Sequence, residues 1–133
     1  MMCNVGDIIV VDSYKDRGNT LNKHSFVVLY QDTGTIQGLD YDMICNVMSS
    51  FKNEKQHDIK MRYPGNFPVV FDDFDPITGN KLRGYIKVEQ LYYFKKDNLK
   101  YMVIGHMKPD IFNLLIEFIG DLNVPIEHIT DNL

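Results

Sequence analysis

Cysteine is scarce in this chain. Cys3 and Cys45 are the only two among 133 residues, and they form no C-x-x-C pair. Two thiols cannot fill a zinc site without help from histidine, so two free thiols in a reducing compartment are expected. Long apolar runs are also missing. The longest, around residues 112–119, is broken by Asn113 and Glu117 and is too short to span a bilayer. Residues 1–7 lack a basic segment followed by an apolar one, so no signal peptide is expected, and the expected location is the cytoplasm. A basic excess is absent as well. Fourteen Lys and Arg against 18 Asp and Glu leave a formal charge of −4, which excludes a global pull on nucleic acid. Any phosphate binding must come from a local cluster. His57, His106 and His128 are scattered with no ligand-like spacing, so no metal is expected, and no cofactor is expected either. Asp72, Asp73 and Asp75 lack the twelve-residue pattern and terminal Glu of a calcium loop.

What is present is an apolar fraction of 44%, enough for one core in one domain spanning 1–133. Short β-branched or alternating runs predict strands at residues 7–12, 25–30, 35–39, 43–48, 59–63, 68–71, 82–93 and 99–104. Residues 14–22 read as a polar loop, 51–57 as a charged surface loop or helical turn, and 72–80 as an acidic loop. One helix is predicted over 109–122. Pro109 suits its first position, Asp110 suits the positive end of its dipole, and Gly120 marks its end. Ile111, Leu115, Phe118 and Leu122 form an apolar stripe, widened by Phe112, Ile116 and Ile119. Residues 6–122 make the core unit, and 123–133 read as a loosely held polar tail. The fold class is therefore mainly β, a small, strongly bent antiparallel sheet or barrel with a C-terminal helix packed against it.

The most informative stretch is Lys23-His24-Ser25-Phe26-Val27-Val28-Leu29. A basic pair leads into a rigid apolar strand, a suitable place for a proton-transfer group. Gly6-Asp7-Ile8-Ile9-Val10-Val11 resembles the opening G-D-I/V-V strand of the MazF/PemK toxin family. Lys23 to Leu29 resembles that family's second-strand motif, a basic loop, then Arg-Pro and Val-Val-Val-Leu. Met48-Ser49-Ser50 sits where the family has Thr-Ser, and Gly84 to Phe94 is similar to its S-x-V-x-x-D-Q-L/V strand. Ile104-Gly105 and the Pro109 helix resemble its closing I-G-x-L and helix. His24 stands where the family has Arg, and Ser49 where it has Thr. The resemblance covers residues 6–122. It implies an SH3-like barrel and a metal-independent endoribonuclease that cuts single-stranded RNA. It also implies a homodimer restrained by a cognate antitoxin, a protein rather than an RNA.

Metal-free RNA cleavage uses the substrate's 2′-OH as nucleophile. It needs a base, an acid for the leaving 5′-oxygen, and donors for the phosphate charge. Imidazole suits proton transfer because its ordinary pKa lies near neutrality. His24 and Ser49 are accordingly the candidate catalytic residues, expected together at the barrel mouth with Arg17 close by. Lys15, Arg17, Lys23 and Ser50 are the candidate RNA contacts. Tyr14, Tyr41 and Phe51 are candidates for stacking unpaired bases, against a reading as core or surface packing residues that stands at least as high. The alternative function is a non-catalytic barrel that binds RNA or a protein partner.

Overall fold

A computed structural model of the chain describes residues 3–76 and 84–133. It is mainly β, with antiparallel pairing and a C-terminal helix, as the sequence predicts. Among the described residues, nine strands form one sheet in the order β11-β9-β5-β2-β1-β10-β7, with β8 beside β5 and β6 beside β8. The long strands are β1 (Asp7–Asp16), β2 (Asn19–Tyr30), β5 (Met43–Ser50) and β10 (Tyr101–Met107). The shorter ones are β6 (Asn66–Val69), β7 (Phe74–Pro76), β8 (Gly84–Lys87), β9 (Gln90–Phe94) and β11 (Glu127–Ile129). A separate hairpin joins β3 (Gly34–Ile36) to β4 (Leu39–Tyr41). The helices are α1 (Glu54–Lys60) and α2 (Pro109–Gly120). No ring of hydrogen bonds closes this sheet among the described residues.

Residues 14–22 are not a loop. They form the distal half of the β1–β2 hairpin, paired down to Asp16 and Asn19. The reversal takes only Arg17 and Gly18, with φ of 50° and 85°. Two successive left-handed residues make the primed turn whose twist matches paired strands. The same device, Gln37 and Gly38 at φ of 54° and 79°, splits the strand expected at 35–39 into β3 and β4.

Residues 59–63 are not a strand either. Asn53 caps α1 by accepting the Gln56 N–H at 2.8 Å, and the helix runs through Ile59 and Lys60. The cap outweighs a five-residue alternation that no neighbouring strand supports. Within the described part of the strand expected at 82–93, β8 and β9 are separate and pair with different halves of β5. Fully buried Asn46 sits at the changeover. Its Nδ2 donates to the carbonyl of Gln90, the first residue of β9, at 2.8 Å. Residues 82–83 lie outside the described residues, as do 77–80 of the expected acidic loop, whose residues 74–76 form β7 instead.

Alternation along β1 and β2 supplies two cores. Ile9, Val11, Phe26 and Val28 join Cys45, Val47, Tyr92, Phe94 and Ile129 on one face. Phe26 packs edge-on against Tyr14, Tyr92 and Phe94 at 4.9, 5.2 and 5.4 Å. Ile8 and Val27 point to the other face, with Val69, Ile86, Val88, Met107 and Leu115. Leu115 anchors α2 there, and Ile111, Phe112, Phe118, Ile119 and Leu122 pack around it. Ile116, expected in the stripe, is exposed. Both cysteines are free and buried, and burial pushes the Cys45 thiol well above its ordinary range.

The tail is held rather than loose. Residues 127–129 pair in parallel with β9, and Ile129 is buried. Asn132 brackets the Lys15 backbone, accepting from its N–H at 2.7 Å and donating to its carbonyl at 2.9 Å. The Asp131 carboxylate accepts the Gly18 N–H at 2.8 Å. Polar side chains that read as solvated in sequence are backbone partners in space.

A candidate functional site at the end of the β1-β2-β5-β8 ladder

Three adjacent rows of residues cross the sheet. The first runs Val10, Ser25, Met48, Ile86, each opposite the next. In the second, Val11 lies opposite His24, and Ser49 opposite Tyr85. Continuing the Ser25–Met48 register by one residue sets His24 beside Ser49 on neighbouring strands. One step further sets Lys23 beside Ser50, which is paired with Gly84. Adjacent paired strands lie about 4.8 Å apart, and the β2–β5 pairing ends at Ser25 and Met48, one residue short of His24 and Ser49.

These rows line a cavity of about 570 Å³, within the roughly 300–1,000 Å³ of small-ligand sites. Its apolar wall is Ile8, Val10, Met48, Val69, Phe74 and Ile104. Hydroxyls come from Ser25, Ser49, Ser50 and Tyr85, and positive or titratable groups from Lys23, His24, Lys52 and Lys60. Among the described residues, no Asp or Glu lines it. Rows one and three face one way and row two the other. His24 and Ser49 thus lie in the row that faces away from that of Ser25 and Met48, and all four border the cavity. The exposed His24 ring stands edge-on to Tyr14 at 5.8 Å, and its Nδ1 lies 3.3 Å from Asn22 O.

Helix α1 closes one side with Gln56 and Lys60, and Lys52 precedes it. Phe51 holds this segment to the sheet, packing on Tyr85 at 4.9 Å and on His57 at 4.8 Å. Asn66 Nδ2 donates to Lys60 O at 2.9 Å from the other end. Gln56 Oε1 accepts the Lys52 backbone N–H at 2.6 Å, a capping box displaced by one residue.

Of the residues singled out in the sequence, His24, Ser49, Lys23 and Ser50 line this cavity, and Lys15 and Arg17 do not. Arg17 sits at the hairpin tip, five ladder steps beyond His24, roughly 17 Å at the usual strand rise. There it pairs with Asp16 at 2.9 Å and Glu127 at 3.0 Å, and hydrogen bonding to Asp16 raises its pKa. The turn that reverses the chain carries Arg17 away from the site. Tyr14 is core, its phenol pushed up to about 12 by burial and then by Asp16. Tyr41 packs on Tyr93 at 5.0 Å, whereas Tyr14 and Phe51 each adjoin a cavity residue, His24 and Tyr85 respectively.

Ser25, Lys52, Gln56 and Lys60 were missed. Lys52, Gln56 and Lys60 recur every four residues, which is the spacing of one helix face. Reading residues 59–63 as a strand hid that signal. Glu54, His57 and Asp58 on α1 bring ligand atoms within 4.8 Å of one another. They are wholly or partly exposed, as charged groups at helical spacing commonly are. No described helix is long and apolar enough to cross a membrane. The chain matches no protein-family model and no curated protein sequence.

Proposed function

We propose that this protein is a metal-independent endoribonuclease that cuts single-stranded RNA, the toxin of a toxin–antitoxin pair of MazF/PemK type. One observation carries the reading. A cavity lined, among the described residues, by three lysines, a histidine and several hydroxyls but no carboxylate sits in a chain of net charge −4. Phosphate oxygens are held by such donors and repelled by carboxylates. The apolar wall suits a base, which has no charge to solvate.

In the proposed reaction the His24 imidazole takes the proton of the substrate 2′-OH. The 2′-oxygen attacks the adjacent phosphorus, and the P–O5′ bond breaks. The leaving 5′-oxygen takes a proton from water at the open rim, and the products are a 2′,3′-cyclic phosphate and a 5′-hydroxyl. Lys23, Lys52 and Lys60 stabilise the charge that builds on the non-bridging oxygens. The Ser49 hydroxyl donates to one of them. Ser50, beside Lys23, contacts the neighbouring phosphate. The reading includes a homodimer, a protein antitoxin that neutralises it, and action in the cytoplasm, where mRNA is found.

A second reading, a non-catalytic RNA-binding domain, is favoured by one observation: among the described residues, His24 is the only imidazole lining the cavity. Incubation of diverse single-stranded RNAs with chelator separates the two. Cleavage that persists in chelator and is abolished by His24→Ala supports the enzyme. Undiminished cleavage by His24→Ala removes that residue from the mechanism. Retention of RNA without any cleavage supports the binding domain.

A further inference from the structure

The Gln56 amide has two ends, and the fold fixes which way they point. A backbone N–H can only donate, so the bond from Lys52 N–H requires the carbonyl end of the Gln56 side chain to face it. The Nε2 end, a donor only, is left on the opposite side of the same planar group. Gln56 is a half-buried cavity residue. Lys52 and Lys60, four residues to either side, supply the neighbouring positive charge.

We infer that Gln56 is the specificity-determining residue of the cavity and selects bases with a carbonyl at the 4- or 6-position, uracil and guanine, over those with an amino group there, cytosine and adenine. The inference rests on the RNA reading above. Flanking lysines take the phosphate and carry no base information. The apolar wall accepts any base, because every base has an apolar face. The Nε2–H donor can pair with O4 of uracil or O6 of guanine. The amino group of cytosine or adenine at that position is itself a donor, so two donors meet and the protein group is left unpaired. A site built around one hydrogen bond rejects the analogue that cannot make it more strongly than it rewards the one that can.

The variant Gln56→Glu isolates this role from helix capping. A carboxylate still accepts the Lys52 N–H, and Glu serves a capping box as well as Gln does. Its second oxygen accepts where Nε2 donated. Helix α1 has no buried residue, so the exchange leaves both cores intact.

The test is cleavage of a randomised single-stranded RNA pool in chelator, with sequencing of the new ends. Wild-type protein is expected to enrich uracil and guanine about tenfold at one position near the cut, the selectivity of roughly one hydrogen bond. Gln56→Glu is expected to shift that position to cytosine and adenine, and Gln56→Met to flatten it. Unfolding midpoints measured alongside show that both variants fold. Wild-type cleavage whose base preference survives both substitutions overturns the inference while the nuclease reading stands. A wild-type protein that cuts none of the pool overturns both.

Discussion

Gly84 lines the candidate site, and Gly84→Ala tests how tightly the site is built. Gly84 pairs with Ser50 across the β5–β8 ladder, and a Cβ built on it would overlap the backbone oxygen of Ser49. That oxygen cannot rotate away as a side chain can. To restore an ordinary contact of about 3.5 Å, the strands must part at their paired end. Overpacking of this kind costs about 1–3 kcal/mol. Replacing Gly by Ala also restricts the unfolded chain, which favours folding by about 0.4–1 kcal/mol. The overpacking outweighs this gain, and a net loss of about 1–2 kcal/mol is expected. Urea unfolding followed by circular dichroism reads it directly. With a slope of about 1–3 kcal/mol per molar urea, the midpoint falls by roughly 1 M. The displaced backbone belongs to Ser49, so cleavage should fall with stability. A midpoint at or above that of the wild type would refute the close approach and the argument built on it.

Two further outcomes follow from the packing and the phenols. Leu115→Ala removes the fully buried anchor of α2 and should cost about 2–5 kcal/mol in urea unfolding; a smaller loss means that α2 is not held to the sheet there. Burial raises the pKa of Tyr14 to about 12 and also raises that of Tyr92, with Asp16 adding to both. The unfolded chain therefore releases these protons near pH 10 while the folded protein keeps them, so stability is full below pH 10 and falls from there to about pH 12. The slope is at most about 1.4 kcal/mol per pH unit for each tyrosine. Tyr92→Phe should flatten the fall, and an unchanged pH profile would contradict it.

The parts of the fold that sequence revealed are those where one face is buried and period and burial agree. The β-branched runs of β1, β2 and β5 and the stripe of α2 are of this kind. The parts it hid are decided by partners far away in the chain. Whether Arg17-Gly18 is a loop or a two-residue turn depends on Tyr14 and Leu21 finding each other across it. Where the β8–β9 break falls depends on Asn46, some forty residues earlier. Three residues of β11 carry no period at all, and only the free edge of β9 makes them a strand. At the site, His24 and Ser49 were legible as residue types on neighbouring strands, and both line the cavity. Lys60 on α1 was not legible, because a helix and a half-buried strand compete for the same short alternation, and neither was Lys52 just before the helix.

The charge count misleads most, and the reason is geometric. A net charge of −4 reads as a protein indifferent to phosphate, yet many of its carboxylates are occupied as caps and clamps. Asp7 accepts the Asn4 N–H, Asp42 the Lys96 N–H and Asp73 the Val70 N–H, each at 2.7 to 2.9 Å. Asp16, Glu127 and Asp131 gather at the hairpin tip, where Arg17 and the Gly18 N–H meet them. Among the described residues, no carboxylate bridges Lys23, Lys52 or Lys60. At an ionic strength of about 0.15 M, charges separated by more than about 8 Å in water are largely screened. The cavity is lined by three lysines and, among the described residues, by no carboxylate. Local positive charge here arises less from added lysines than from carboxylates that the backbone holds elsewhere.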